Sequence, residues 1–174
     1  MKVSDRLSIA LYDPMTDFRL YQQSVDALFR MIIKAVGSKF DIIMASEAKG
    51  IPLAFGVAER MARYRYSRSV QVAICRKSLK PYFKHVVSAK VNTVTTEGEQ
   101  FIYLADAHQR LAGKRVVIVD DVVSTGSSLK AMKHLISQSS GSFVLAASVL
   151  AEDKGTEIEG LHYLDSIPVF PKME

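Results

Sequence analysis

The sequence has a single cysteine, Cys75, so no disulfide can form within the chain, a usage that fits a reducing compartment. No apolar run approaches the roughly 18 residues that a membrane span needs. The charged start Met1–Arg6 leads into the short, tyrosine-interrupted stretch Leu7–Tyr12 and not into the long apolar segment of a signal peptide. A cytoplasmic protein without membrane contact is expected. The Walker pattern and G-x-G-x-x-G are both absent, which argues against a nucleoside triphosphatase and against a dinucleotide site. His85, His108, His134 and His162 show no ligand spacing and Cys75 has no second thiol, so a structural zinc site is not expected. There is no internal repeat, linker or low-complexity tract, and 174 residues suit one compact domain spanning 1–174.

What is present is an excess of cations. Lys and Arg number 23 against 18 Asp and Glu, giving a net charge of +5 and a pI of about 9.3. That balance suits a polyanionic ligand, either nucleic acid or a small phosphorylated substrate, although a generally basic surface would give the same total.

Along the chain, Asp13-Pro14 punctuates the start. Phe18, Tyr21, Val25, Leu28, Ile32 and Val36 then recur at intervals of three and four, which predicts an amphipathic helix from about Thr16 to Val36, ended by Gly37. Asp41–Ala45 reads as a short strand, Ser46–Gly50 as a loop, and Pro52 as the first turn of a helix reaching about Tyr64. Val70–Cys75 is the next strand. Arg76–His85 is basic and lacks a clean period. Two β-rich runs between Val86 and Leu104 flank Glu97-Gly98 and predict a hairpin. Arg115–Val119 is a continuous apolar strand, Asp120–Ser127 a polar turn, Leu129–Ser137 a helix and Phe143–Ala151 another buried strand. Continuously apolar strands alternating with helices indicate an α/β protein whose mostly parallel sheet is covered on both faces.

The sharpest feature is the run from Val116 to Ser128, VVIVDDVVSTGSS. A buried strand delivers two adjacent carboxylates to its carboxyl end, where open α/β sheets bind ligands. A turn of small hydroxyl residues around Gly126 then leads into a helix, and such a turn can aim backbone N–H groups at one anion. The same anion would repel Asp120 and Asp121. These need another partner, either the hydroxyls of a sugar or a hydrated magnesium ion. One ligand carrying both groups is a ribose 5-phosphate. The plain alternative is a βα turn with an N-capping Ser or Thr and incidental aspartates.

This segment resembles the motif by which type I phosphoribosyltransferases bind 5-phosphoribosyl-1-pyrophosphate (PRPP). Over about Phe40 to Lys154 the chain is similar to the purine branch of that family, the adenine and xanthine enzymes. The resemblance implies a five- to six-stranded, mostly parallel sheet with helices on both faces, a β-hairpin mobile loop and a small hood built from the N- and C-terminal segments. It also implies that Asp120 and Asp121 hold the ribose hydroxyls and that Ser124, Thr125, Gly126, Ser127 and Ser128 hold the 5-phosphate.

Two further segments gain meaning from this. Ser46-Glu47-Ala48-Lys49-Gly50 reads by itself as a βα loop, but it resembles the family's pyrophosphate loop, in which Ala48, Lys49 and Gly50 would meet the leaving pyrophosphate. Arg76, Lys77 and Lys80 lie too close together to pack in a core, so they form either an exposed basic face or a lid. They resemble the Arg-Lys start of the purine enzymes' mobile loop, which makes Arg76 and Lys77 candidate catalytic groups and Lys80 a pyrophosphate contact. The adenine enzymes carry Glu-Tyr-Gly at the far end of that loop. Here the stretch is Thr95-Thr96-Glu97-Gly98, closer in spacing to the xanthine enzyme's threonine-containing segment, and Glu97 is either a displaced carboxylate or a hairpin tip. Tyr12, Phe18 and Tyr21 could stack on a base under a hood, but core packing is the preferred expectation for them.

The implied activity is purine salvage: a base and PRPP give a nucleoside 5-monophosphate and pyrophosphate, with magnesium bound alongside PRPP. Adenine is the first expectation and xanthine or another 6-oxopurine is close behind. The family also implies a homodimer, and no nucleic-acid partner is expected. One rival is a non-enzymatic PRPP sensor controlling transcription or RNA structure, for which 174 residues leave little room for a further DNA-binding domain. The other is a phosphoacceptor receiver domain, which does not need the Thr125-Gly126-Ser127 turn.

Overall fold

The computed structural model of the chain describes residues 2–4, 7–9, 12–64, 70–91 and 100–171. Its centre is a five-stranded sheet of β3 (Ile42–Ser46), β4 (Gln71–Cys75), β7 (Arg115–Val123), β8 (Ser142–Glu152) and β9 (Leu161–Ile167), in the order β4-β3-β7-β8-β9. Every neighbouring pair is parallel. β7 is thus the middle strand, and its side chains alternate between two apolar layers. Val117 and Val119 point to α1 (Phe18–Val36) and α2 (Gly50–Arg63), where Val25, Leu28, Leu53 and Val57 are buried. Val116 and Ile118 point to α4 (Ser127–Gln138), where Leu129, Met132 and Leu135 are buried. Each such side chain contributes about 1.5–3 kcal/mol when fully buried. That two-sided burial is why the strand reads as an unbroken apolar run.

The helices obey local rules. Asp17 caps α1 by accepting the Leu20 N–H at 3.0 Å, and Gly37, at φ +61°, ends it. Pro52 is tolerated because it falls in the first turn of α2, where an N–H has no intrahelical acceptor. The expected hairpin is β5 (Val87–Val91) against β6 (Gln100–Leu104), antiparallel, with Val87 opposite Leu104 and Val91 opposite Gln100. Its tip, with Glu97, lies outside the described residues. β1 (Lys2–Ser4), β2 (Leu7–Ile9) and β10 (Val169–Pro171) form a small antiparallel sheet joining the two ends of the chain, in line with the expected hood composition.

Two expectations are corrected. Asp120 and Asp121 belong to β7 and not to a polar turn, because β8 continues the parallel ladder as far as Val123 opposite Ala151, and ladder pairing outweighs the turn preference of aspartate. The helix after the turn starts at Ser127, two residues earlier than its apolar period shows, since its first turn is made of serines. The segment from Leu161 supplies both the fifth strand β9 and the small-sheet strand β10. A short helix α3 (Ala107–Leu111) was not foreseen, five residues being too few to show a period. Among the described residues no helix is long and apolar enough to cross a membrane.

Candidate active site

The carboxyl ends of β3 and β7 bring the predicted segments together. Asp120 is buried, and its carboxyl is pushed well above the ordinary aspartate range, first by burial and next by the neighbouring charge of Asp121. The Asp121 N–H donates to Asp120 Oδ1 at 3.1 Å, and the positive charge of Lys77 partly offsets the upward shift. Asp121 is more open, with Oδ2 3.7 Å from Lys49 Nζ. That ammonium also donates to the Tyr12 carbonyl at 2.7 Å.

Gly50 is tightly packed here. A methyl group on it would lie 3.3 Å from Asp120 Oδ1 and 3.2 Å from the Ala45 side chain, so the start of α2 comes down directly onto the buried acid. Lys49 and Gly50 therefore both lie against the acid pair. The peptide between Glu47 and Ala48 is cis.

Beyond the acids, the chain passes through Ser124 and Thr125 to Gly126 at φ +71°, a left-handed position. A side chain there would also collide with Ile158 Cδ1. The Thr125 hydroxyl lies 3.1 Å from the Ser127 hydroxyl and 3.4 Å from the Ser127 N–H, which folds the turn over the first turn of α4. The leading amides of α4, including those of Ser127 and Ser128, have no intrahelical acceptors, and no acidic residue occupies that turn. The arrangement is a concave, amide-rich, positively polarised end beside two carboxylates.

The basic segment starts at a fixed point. Arg76 exchanges backbone hydrogen bonds with Tyr103 of β6, donating at 2.9 Å and accepting at 2.8 Å. Its Nε lies 2.8 Å from Glu47 Oε1, while the Lys77 N–H donates to Glu47 Oε2 at 2.7 Å. Glu47, to which the sequence reading gave no role, thus ties the base of the basic segment to the pyrophosphate-type loop. The only advance signal was its place before Ala48-Lys49-Gly50. Lys77 is exposed, and Lys80 follows in a turn closed by the Phe83 N–H on the Lys80 carbonyl at 3.0 Å.

On the α1 side lies a cavity of about 500 Å³ lined by Pro14, Met15, Thr16, Phe18, Tyr21, Ala48, Ile51 and Pro52. Core packing holds for Tyr12, which is buried and donates to Ser24 Oγ at 2.6 Å. It fails for Phe18, which is 71% exposed and stacks on the half-buried Tyr21 with ring centroids 5.9 Å apart. Tyr12 faces the core because a neighbouring serine satisfies its hydroxyl, whereas Phe18 is the first residue of α1 and lies largely in solvent.

The donor set bears on metals and nucleophiles as well. Among the described residues no group of three or more His, Cys, Asp or Glu could hold a metal by itself. Two adjacent carboxylates fit an ion whose other ligands come from a bound substrate and water. Burial pushes the Cys75 thiol up to about 12, which removes it as a nucleophile at neutral pH.

The family model described as the phosphoribosyl transferase domain matches residues 15–166. In sequence the chain is similar to the transcriptional regulator GfcR of Archaeoglobus fulgidus, 29% identical over 82% of this chain and 64% of that one. It is similar to the orotate phosphoribosyltransferase of Halorhodospira halophila, 31% identical over 76% of this chain and 55% of that one. It is also similar to the adenine phosphoribosyltransferase of Thermosipho africanus, 28% identical over 79% and 72%. The chain thus spans 64% and 55% of the lengths of the first two relatives. In three dimensions it resembles the adenine phosphoribosyltransferase of Trypanosoma brucei solved with AMP, pyrophosphate and ribose-5-phosphate, with a TM-score of 0.70 at 16% identity, covering 92% of this chain and 75% of that one. The matched family model covers residues 15–166, most of the chain, and on that match this chain belongs to the phosphoribosyl transferase domain family.

Proposed function

We propose that the protein is a purine phosphoribosyltransferase acting on PRPP and an uncharged base. The observation that carries this is the juxtaposition of buried Asp120 and its neighbour Asp121 with the turn Ser124–Ser128 on one side and, on the other, a cavity with no charged residue among the described residues that line it. Orotate carries a carboxylate and calls for a cation in its pocket. The eight lining residues include none, and their polar side chains are only Thr16 and Tyr21. A planar, neutral purine between Phe18, Tyr21 and the start of α2 matches that lining.

In the reaction the bond from the anomeric carbon to pyrophosphate breaks, a ring nitrogen of the base supplies the electron pair for the new bond, and the proton that the base gives up passes to water or to the departing pyrophosphate. Pyrophosphate leaves with the electrons of the broken bond. Positive charge develops on the ribose and negative charge on the leaving group. The turn Ser124, Thr125, Gly126, Ser127 and Ser128 anchors the 5-phosphate. Asp120 and Asp121 hold the ribose hydroxyls and favour its developing positive charge. The amides of Ala48 and Gly50, with Lys49, Lys77 and Lys80, receive the pyrophosphate, and Lys49 exchanges the Tyr12 carbonyl for it. Arg76, anchored to Glu47, holds the base of the loop that carries Lys77 and Lys80 over the site, excluding water that would otherwise consume the ribosyl cation. Magnesium bound with PRPP, held in part by Asp120 and Asp121, would supply further positive charge against the pyrophosphate oxygens.

Pyrophosphate release from PRPP with adenine, hypoxanthine, guanine, xanthine and orotate tests this. Turnover of a neutral purine and none of orotate is expected; turnover of orotate alone would overturn it. The similarity to a transcriptional regulator over 82% of the chain supports a second reading, a PRPP-sensing regulator. PRPP binding with no turnover of any base would favour that one.

A further inference from the structure

α1 and α2 meet in steps that climb together: Tyr21 and Val25 against Gly56, Asp26 against Arg60 with Arg60 Nε donating to Asp26 Oδ1 at 2.7 Å, and Phe29 stacked on Tyr64 at 5.4 Å. The helices therefore run side by side in the same direction. Their first turns, bearing Phe18 and Tyr21 on one and Ile51 and Pro52 on the other, form facing walls of the cavity. The distance between those walls is the distance between the helices.

That distance depends on one missing side chain. A methyl group on Gly56 would lie 2.5 Å from Val25 Cγ2 and 2.6 Å from the Tyr21 hydroxyl oxygen. This is roughly 1 Å or more short of the ~3.5–4.0 Å of unstrained carbon contacts. Val25 is fully buried and cannot yield without moving α1. Tyr21 is the cavity wall itself. Resting on the assignment of the cavity to the base, we propose that Gly56, which touches no substrate, is a positioning residue that sets the width of the base slot and so decides which bases fit. Any side chain at position 56 wedges the walls apart. The acid pair and the Ser124–Ser128 turn lie on β7 and α4 and stay where they are.

The test is Gly56→Ala, read as separate KM values for adenine and PRPP and as calorimetric Kd values for AMP and PRPP. The adenine KM and AMP Kd are expected to rise about ten-fold or more, as an ångström of misplacement costs at least that much. The PRPP constants should rise less than those for adenine and AMP, because the pyrophosphate segment Ala48–Gly50 meets the displaced wall only at Ala48. The triple variant Tyr21→Phe/Val25→Ala/Gly56→Ala removes both obstacles, keeps the ring and should bring the adenine KM most of the way back. If Gly56→Ala does not fold, the triple variant is compared with Tyr21→Phe/Val25→Ala, and weaker AMP binding by the double is expected because its gap is left unfilled. Equal rises in the PRPP and AMP constants, no change in either, or a double that binds as well as the triple would overturn the inference. A wild-type protein that turns over no base but binds AMP in a Gly56-dependent way would sink the enzyme assignment and leave the slot standing. One that binds none of the purine bases and none of their monophosphates would sink both.

Discussion

At the amino end of β7, Asp41 Oδ2 accepts from the Arg115 N–H at 2.8 Å and from its Nε at 3.1 Å, and Oδ1 accepts from Nη2 at 3.2 Å. Both oxygens are satisfied, and those bonds hold the Asp41 carboxyl below its ordinary range. At the carboxyl end the same strand buries Asp120 beside another aspartate, and there the carboxyl is pushed up instead. One end is scaffold whose charges are matched within the chain. The other holds an acid whose ionised form the folded chain disfavours, and such a group fits a ligand that brings hydroxyls or a cation. The two ends also respond oppositely to pH. The stability from Asp41 is present above the ordinary aspartate range and is lost as pH falls through its lowered value. That from Asp120 is complete below the ordinary range and is lost as pH rises through its raised value.

The strongest way to break this contrast is Asp120→Asn with Asp121→Asn, expected to lower turnover about a thousand-fold or more in a chain that still folds. Asp120→Asn alone should raise the Tm of the ligand-free protein at pH 8 and change it less at pH 5, as melts at both values would show. Retained pyrophosphate release would remove the pair from the mechanism, and a Tm loss equal at both pH values would refute the buried-acid argument. Next is Gly126→Ala, where a left-handed position and the Ile158 contact together should weaken PRPP binding by about ten-fold or more by calorimetry. Lys77→Ala with Lys80→Ala should lower kcat by about ten-fold while the PRPP Kd moves less than about three-fold, if the segment closes as a lid. An unaltered kcat would return it to an exposed basic face. The smallest effect is expected from Asp41→Asn: kinetics unchanged, and a slightly lower Tm at pH 7 that merges with the wild type in acid.

The carboxyl end of β7 was the more legible of the two ends. A continuous apolar strand followed by two acids and a hydroxyl-glycine turn has few physical explanations, and the fold around it followed from apolar strands alternating with helices. The boundary at Asp120 was misread because strand pairing with β8 is a tertiary effect that local turn preference does not contain. The cavity was only half visible. Phe18 and Tyr21 shared a period with core residues, and the period alone does not tell that Phe18, in the first turn of α1, stays exposed. Gly56 gave no signal either, since its meaning depends on Tyr21 and Val25 of another helix. Glu47 gains its role only when the pairing of β3 with β4, Ser46 opposite Cys75, brings Arg76 beside it.

The claim beneath all of this is that the acids and the turn on β7 and α4 grip a phosphorylated pentose. Titrating PRPP in magnesium buffer into the wild type and into Asp120→Asn/Asp121→Asn measures it directly. Saturable heat at one PRPP per chain, weakened about ten-fold or more in the variant, is the expected result. No heat from the wild type, or equal affinities for the two proteins, would contradict it.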